Sequence, residues 1–206
     1  MITVVDYGRG NLFSTGQALR HLGVQYRITA DAGAVERAER VVLPGVGAFG
    51  DCMGGLRARG LIEPLTRAAA RGVPMLGICV GAQVMLEAGE EFGRHEGLGF
   101  ISGTVRRLPD GNGGPDAIRI PNVGWRALRT HGGFLDDASD GAMVYFVHSY
   151  APFVARGEDV AATIAVNGAD VPVAFRRGNV VGFQFHPEKS GPVGLGLIER
   201  FVRFTP

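Results

Sequence analysis

Apolar residues along this chain gather in short runs separated by glycine, proline and charged breaks. Ile2-Thr3-Val4-Val5 reads as a first strand, closed by Asp6-Tyr7-Gly8-Arg9-Gly10. Leu12, Gly16, Leu19 and Leu22 then recur at three- and four-residue spacing, which predicts a helix from about Asn11 to Leu22. Val24 to Thr29 and Val41 to Leu43 read as strands, the second stopped by Pro44-Gly45. A helical stretch is expected from roughly Leu56 to Arg71, interrupted at Glu63-Pro64, where proline suits a first helical turn. Pro74 to Ile78 reads as a buried strand running into Cys79, and Ala82 to Leu86 as a helix after it. Strands alternating with helices in this way predict right-handed βαβ units and a largely parallel sheet.

From Phe100 onward strands dominate. Thr104 to Leu108, Met143 to Val147, Val160 to Val166, Val171 to Phe175 and Val180 to Phe185 all carry the pattern. Pro109 to Pro115, polar and rich in glycine, reads as an exposed loop. Pro192 to about Phe204 closes the chain as a helix with Leu195, Ile198 and Val202 on one face. No repeat and no linker divides the sequence, so residues 1–206 are expected to form one three-layer α/β domain.

Composition narrows the function classes. The 206 residues are 46% hydrophobic and 20% charged, enough apolar side chain for a real core and too much for disorder. A net charge of +1 gives no field that would favour nucleic acid or an anionic membrane. No apolar run approaches the ~18 residues of a membrane span, and Asp6 interrupts any signal-peptide core. Two cysteines make neither a disulfide framework nor a zinc site, which points to the cytoplasm. Glycine is the outlier: 33 residues, against a usual share of about 7%. That density predicts tight turns or backbone lying close to a ligand.

Candidate chemistry begins at Gly77-Ile78-Cys79-Val80-Gly81, the form of a strand-to-helix nucleophile elbow. Such a turn exposes the nucleophile where free N–H groups favour a thiolate and later an oxyanion. Gly50-Asp51-Cys52-Met53-Gly54 matches the bare pattern too, but no strand delivers Cys52, which reads as a small buried hydrophobe. A nucleophilic cysteine needs a base held by a third group. Of the five histidines, His21 falls near a helix end, and His95 and His131 lie in glycine-rich loops. His148 and His186 each sit at the end of a strand, where α/β sheets present ligand-facing groups. Pro187 biases His186 toward extended backbone, so Glu188, two residues on, can reach its imidazole. Cys79, His186 and Glu188 are therefore the candidate triad.

A rival reading rests on glycine patterns. Gly45-Val46-Gly47-Ala48-Phe49-Gly50 fits a dinucleotide fingerprint after a strand, and Gly8-Arg9-Gly10 is followed by Asp31 at the ribose-binding distance. Both are incomplete: the first lacks the later acid, and the second has Phe13 where a third glycine belongs. No P-loop and no metal-ligand spacing occurs, so neither metal nor other cofactor is expected.

With these residues in place the chain resembles the class I glutamine amidotransferases, most closely the glutaminase subunits of imidazole glycerol phosphate synthase. The resemblance runs end to end. It is carried by the segments Asp6 to Leu12, Leu43 to Phe49, Gly77 to Gln83, Tyr145 to Tyr150 and Gln184 to Gly191. It implies a flavodoxin-like three-layer fold with a mostly parallel central sheet and a β-rich second half. Cys79 would attack the glutamine carboxamide, His186 relay protons and Glu188 orient His186. Backbone N–H groups of Val80 and of Val46 or Gly47 would hold the oxyanion. Gln83, Glu91, His148, Ser149 and Tyr150 would bind glutamine. Ammonia would pass to a (β/α)8-barrel cyclase partner in histidine biosynthesis, and that partner would reorganise the glycine-rich strand, with Gly45 and Gly47 tolerating a peptide flip. Asn122 and Trp125 are the candidate partner contacts. At Asn122 and Arg126 this chain departs from the residues most frequent in that family.

Other readings of the same residues remain: an amidotransferase serving another synthase (pyridoxal phosphate or sugar-nucleotide), a cysteine hydrolase of similar fold, or an interaction protein with an inert elbow.

Overall fold

In the computed structural model, which describes residues 1–111, 117–135 and 139–206, an eight-stranded mixed sheet forms the centre. Its first strands are β1 (Ile2–Val5), β2 (Tyr26–Thr29), β3 (Arg40–Gly45) and β4 (Met75–Cys79). Parallel pairing runs β2-β1-β3-β4. Helices α1 (Leu12–His21), α2 (Ala32–Glu36), α3 (Phe49–Ala58) and α4 (Ile62–Ala70) make the crossovers. β1 and β4 are buried at every position, as continuous apolar runs covered on both faces must be.

The elbow helix α5 (Val80–Gln83) leads to β5 (Leu86–Gly89), β6 (His95–Glu96) and β7 (Ile101–Arg107). Next come β8 (Asn122–Ala127), β9 (Arg129–Thr130), β10 (Met143–His148) and β11 (Tyr150–Val154). The chain ends with β12 (Val160–Val166), β13 (Ala169–Arg177), β14 (Val180–Phe183) and α6 (Gly191–Arg203). β14 pairs parallel to β4, and β13, β12 and β9 extend the central sheet antiparallel. β11-β7-β5-β6 form a second sheet, and β8-β10 a third, two-stranded one. This is the expected α/β fold with its β-rich second half.

Several expectations need correction. The helical stretch from Leu56 is two helices, and α3 begins seven residues earlier, at Phe49. Glycines at 50, 54 and 55 obscure it, but Phe49, Cys52, Met53 and Leu56 share its buried face. The break falls at Gly60, with φ +62°, and Pro64 sits in the first turn of α4. The helix expected over Ala82 to Leu86 ends at Gln83, because Leu86 pairs with Ile101 in the second sheet. Of the predicted Pro109–Pro115 loop, Asp110 and Gly111 are exposed, and residues 112–115 lie outside the described ones. Asp31 caps α2, accepting from the Ala34 N–H at 2.6 Å, and takes no part in a glycine-rich site. Among the described residues, no helix is long and apolar enough to cross a membrane.

Candidate active site

The C-terminal ends of β3 and β4 lie side by side, with Gly45 paired to Cys79. This is the edge where parallel α/β sheets place ligands. Cys79 ends β4 with φ +55° and ψ −116°, a strained geometry for a residue with a Cβ. The turn is tight enough that α5 packs directly on β3: a Cβ on Gly81 would lie 1.8 Å from the Leu43 carbonyl oxygen. Cys52 is fully buried on α3, and desolvation lifts its thiol to about 11, which leaves it an unreactive thiol. Its Sγ donates to the Val46 carbonyl at 3.5 Å.

His186 and Glu188 follow β14, and a 3-10 turn over Pro187–Lys189 brings them together. Nδ1 of His186 lies 2.8 Å from Oε1 of Glu188, and both side chains are buried. Burial pulls the His186 pKa down, but the Cys79 sulfur and then Glu188 more than offset it and raise it to about 10. The ring is thus held as imidazolium at neutral pH. Nε2 is buried with no hydrogen-bond partner, so Cys79 acts on it from nearby without a full hydrogen bond. That unpaired donor is what a proton-relaying histidine must keep available.

Beside Cys79 lies a cavity of about 200 Å³, lined by Gly47, Val80, Gln83, Glu91, Pro121, Val147, His148, Ser149 and Tyr150. It gathers all five residues expected to bind substrate, together with two of the three expected oxyanion residues. A larger groove, about 580 Å³ around Phe134, Arg176 and Phe204, is lined by neither cysteine nor histidine among the described residues. Gln83 donates from Nε2 to the Tyr150 carbonyl at 3.0 Å and to Gln184 Oε1 at 2.8 Å. Both amide hydrogens are then used, which leaves Gln83 Oε1 as an acceptor for a ligand ammonium. Glu91 Oε2 accepts from the Phe49 N–H at 2.9 Å. Burial lowers the His148 pKa to about 4, so its ring is neutral and cannot serve as a charged ligand.

One expectation is corrected, the placing of Asn122 at a partner surface. Of the strand residues expected to supply the second oxyanion donor, Gly47 lines the cavity, and Val46, 40% exposed, does not. Gly45 is also required for space, since a Cβ there would lie 2.3 Å from the Gly81 nitrogen. Gly47 does adopt φ +93°. Asn122 is fully buried on the inward face of β8, its Nδ2 2.9 Å from His148 Nε2, and cannot touch a partner. Trp125, on the outward face, is 47% exposed.

Two contributors had no role in the sequence reading. Gln184 Nε2 donates to Cys79 Sγ at 3.8 Å, and its place two residues before His186 was the available signal. Tyr7 donates from its hydroxyl to the Pro44 carbonyl at 2.8 Å, bracing the glycine-rich strand from behind. No sequence signal joins positions 7 and 44.

Among protein families, the class-I glutamine amidotransferase model matches residues 3–203. An imidazole glycerol phosphate synthase subunit HisH from Salinibacter ruber is 45% identical, covering 98% of this chain and 94% of the relative. The subunit of the same name from Geobacillus thermodenitrificans is 43% identical, covering 98% and 95%. Among solved structures, a glutamine amidotransferase superposes with a TM-score of 0.71 at 21% identity, over 98% of this chain and 100% of the other. The PurLQS structure from Thermotoga maritima gives 0.70 at 20% identity, over 98% and 96%.

Proposed function

The chain belongs to the class-I glutamine amidotransferases, and among them to the HisH subunits of imidazole glycerol phosphate synthase, and from this we propose that Cys79, His186 and Glu188 are its catalytic triad. The observation that carries the reading is the cavity at Cys79. It collects the glutamine-binding candidates around one sulfur, next to a buried, charged His186–Glu188 pair.

Glutamine enters with its carboxamide carbon at Cys79 Sγ and its ammonium at Gln83 Oε1. Attack forms the carbon–sulfur bond and moves an electron pair onto the carboxamide oxygen. The N–H groups of Val80 and Gly47 receive that oxyanion, each such donor lowering the barrier by about 3 kcal/mol. His186, an imidazolium at this stage, gives its Nε2 proton to the departing nitrogen, and ammonia leaves a γ-glutamyl thioester. The now neutral Nε2 takes a proton from water, whose oxygen attacks the thioester carbon. Collapse expels the Cys79 sulfur as leaving group, releases glutamate and leaves His186 protonated for the next turnover. Glu188 holds the ring in register throughout and offsets its charge.

Ammonia passes to a (β/α)8-barrel cyclase that seats on the β8-β10 sheet. The outward face of that sheet pairs Val123 with Val147, Trp125 with Tyr145 and Ala127 with Met143. Val123, Trp125, Met143 and Val147 are exposed together, an apolar patch of the kind that marks an interface. Trp125 packs edge-on against Tyr145, with ring centroids 6.0 Å apart. The same strand reaches the triad, because the His186 N–H donates to the Tyr145 carbonyl at 3.0 Å. A partner on this face therefore acts one hydrogen bond from the base.

The test is glutamate release by the purified chain, alone and with a cyclase barrel plus its nucleotide ligand, with Cys79→Ala as blank. A low rate that rises by orders of magnitude with the barrel, and vanishes in the blank, is expected. Fast hydrolysis that ignores the barrel would refute the gating and point to another acceptor. No hydrolysis in any condition would refute the triad.

A further inference from the structure

A run of buried polar side chains behind the cavity has hydrogen bonds whose directions are fixed from both ends. Arg126 Nε lies 3.1 Å from Asn122 Oδ1. A guanidinium only donates, so the Asn122 oxygen must face it and the Asn122 amide nitrogen must face His148. That nitrogen lies 2.9 Å from His148 Nε2 and can only donate, so Nε2 must be unprotonated. At the other side of the ring, Nδ1 lies 3.0 Å from the Tyr150 carbonyl oxygen, which can only accept. The two ends agree on a single form of the ring, neutral with its proton on Nδ1.

The same Tyr150 oxygen also accepts from Gln83, which continues to Gln184 and so to the Cys79 sulfur. The His148 tautomer thus decides whether this carbonyl is held between two donors or repelled by a nitrogen lone pair. We propose that Asn122, oriented by Arg126, is a positioning residue for glutamine binding: it selects the Nδ1–H tautomer of His148 and thereby fixes the Tyr150 carbonyl and the Gln83 amide at the cavity wall. The proposal rests on the glutaminase reading and deepens it. It also assigns a use to Asn122, which is too buried to meet a partner, and to Arg126, half-buried at the edge of the β8-β10 face.

Burial agrees with this assignment. Desolvation, joined by the nearby His186 charge and opposed by the Tyr150 bond, brings the His148 pKa to about 4, so the ring stays neutral in the working range. The charged side chains that act on this run are Arg126 at its outer end and His186 across the cavity.

Asn122→Asp is the discriminating variant. It keeps the size and can still accept from Arg126, but a carboxylate cannot donate to Nε2. His148 must then carry a proton on Nε2, as imidazolium or as the opposite tautomer. Nitrogen-15 NMR of the imidazoles reads this directly: the parent should show a protonated Nδ1 and a pyridine-type Nε2, and the variant a protonated Nε2. Where the spectrum shows the variant ring neutral with its proton on Nε2, KM for glutamine, with the cyclase barrel and its ligand present, should rise about tenfold with a smaller change in kcat, the scale of one misplaced buried hydrogen-bonding group. An imidazolium keeps its Nδ1–H on the Tyr150 carbonyl and should leave KM near the parent value. Arg126→Met, at a half-buried position, is the second variant: it frees the Asn122 amide to rotate and should raise KM about threefold, roughly the loss of one modest hydrogen bond. A parent His148 protonated on Nε2, an unaltered KM in the neutral Nε2–H form of Asn122→Asp, or an unaltered KM in Arg126→Met would overturn the proposal. The two readings fail separately: a parent that turns over no glutamine overturns the glutaminase reading, while the NMR result still decides the tautomer.

Discussion

His186 Nδ1 stands 2.8 Å from Glu188 Oε1 with both side chains buried, so the imidazole and the carboxylate form a pair closed to solvent. The carboxylate supports positive charge on the ring, and an amide of the same shape would not. Glu188→Gln should lower kcat about a hundredfold or more, with KM nearly unchanged, since the lost interaction grows only as the ring takes up charge. The His186 titration, followed by NMR, should fall below its value of about 10 in the same variant. An unchanged kcat would remove Glu188 from the machinery.

Acid should weaken the fold through His148. Its folded pKa of about 4 lies below the unfolded value near 6.5, so protons bind the unfolded chain more tightly in that window. The contribution is complete above pH 6.5 and is lost as pH falls toward 4, about 3 kcal/mol at most. Urea unfolding at several pH values should show this slope. It should flatten in His148→Gln, which has no proton to gain. His186 runs the other way: its raised pKa stabilises fully below pH 6.5 and fades as pH climbs to about 10.

The two glycines of the strand facing Cys79 should respond differently to alanine. At Gly45 a Cβ would lie 2.3 Å from the Gly81 nitrogen and 2.7 Å from the Tyr7 hydroxyl, so the elbow itself must shift. Gly45→Ala should cost about 3 kcal/mol of stability and most of the glutaminase activity. At Gly47 no atom lies within 4 Å, and the difficulty is φ +93° alone. Gly47→Ala should cost about 1 kcal/mol. Thermal unfolding of both variants checks the ordering, and equal losses would contradict it.

Trp125 is the large aromatic of the exposed β8-β10 face. Trp125→Ala should weaken barrel binding about thirtyfold, the cost of a central interface anchor at about 2 kcal/mol. The hydrolysis rate of the chain alone should not change, because Trp125 contributes nothing to the Cys79 cavity. Calorimetric titration with the barrel and a glutaminase assay without it separate the two effects. Unchanged affinity would move the interface elsewhere.

The sequence by itself determined the parallel βαβ half, the elbow at Cys79 and the pairing of His186 with Glu188. Each depends on neighbours within a few residues: apolar runs bounded by Gly and Pro, a cysteine at a strand end, a His-Pro-Glu triplet. It offered the substrate-binding candidates only through family resemblance, since positions 83, 91 and 148–150 share no local pattern. Helix α3 was missed because glycine lowers local helix preference, and burial of Phe49, Cys52, Met53 and Leu56 overrides it. Only the tertiary structure could decide that Asn122 faces His148 while Trp125 faces outward. Alternation along β8 divides the two faces, but which face is covered depends on what lies behind it. The Tyr7–Pro44 and Gln184–Cys79 contacts join residues 37 and 105 positions apart, and no local rule reaches that far. Chemistry tied to neighbouring residues was legible in the chain, whereas chemistry tied to packing across the sheet had to wait for the fold.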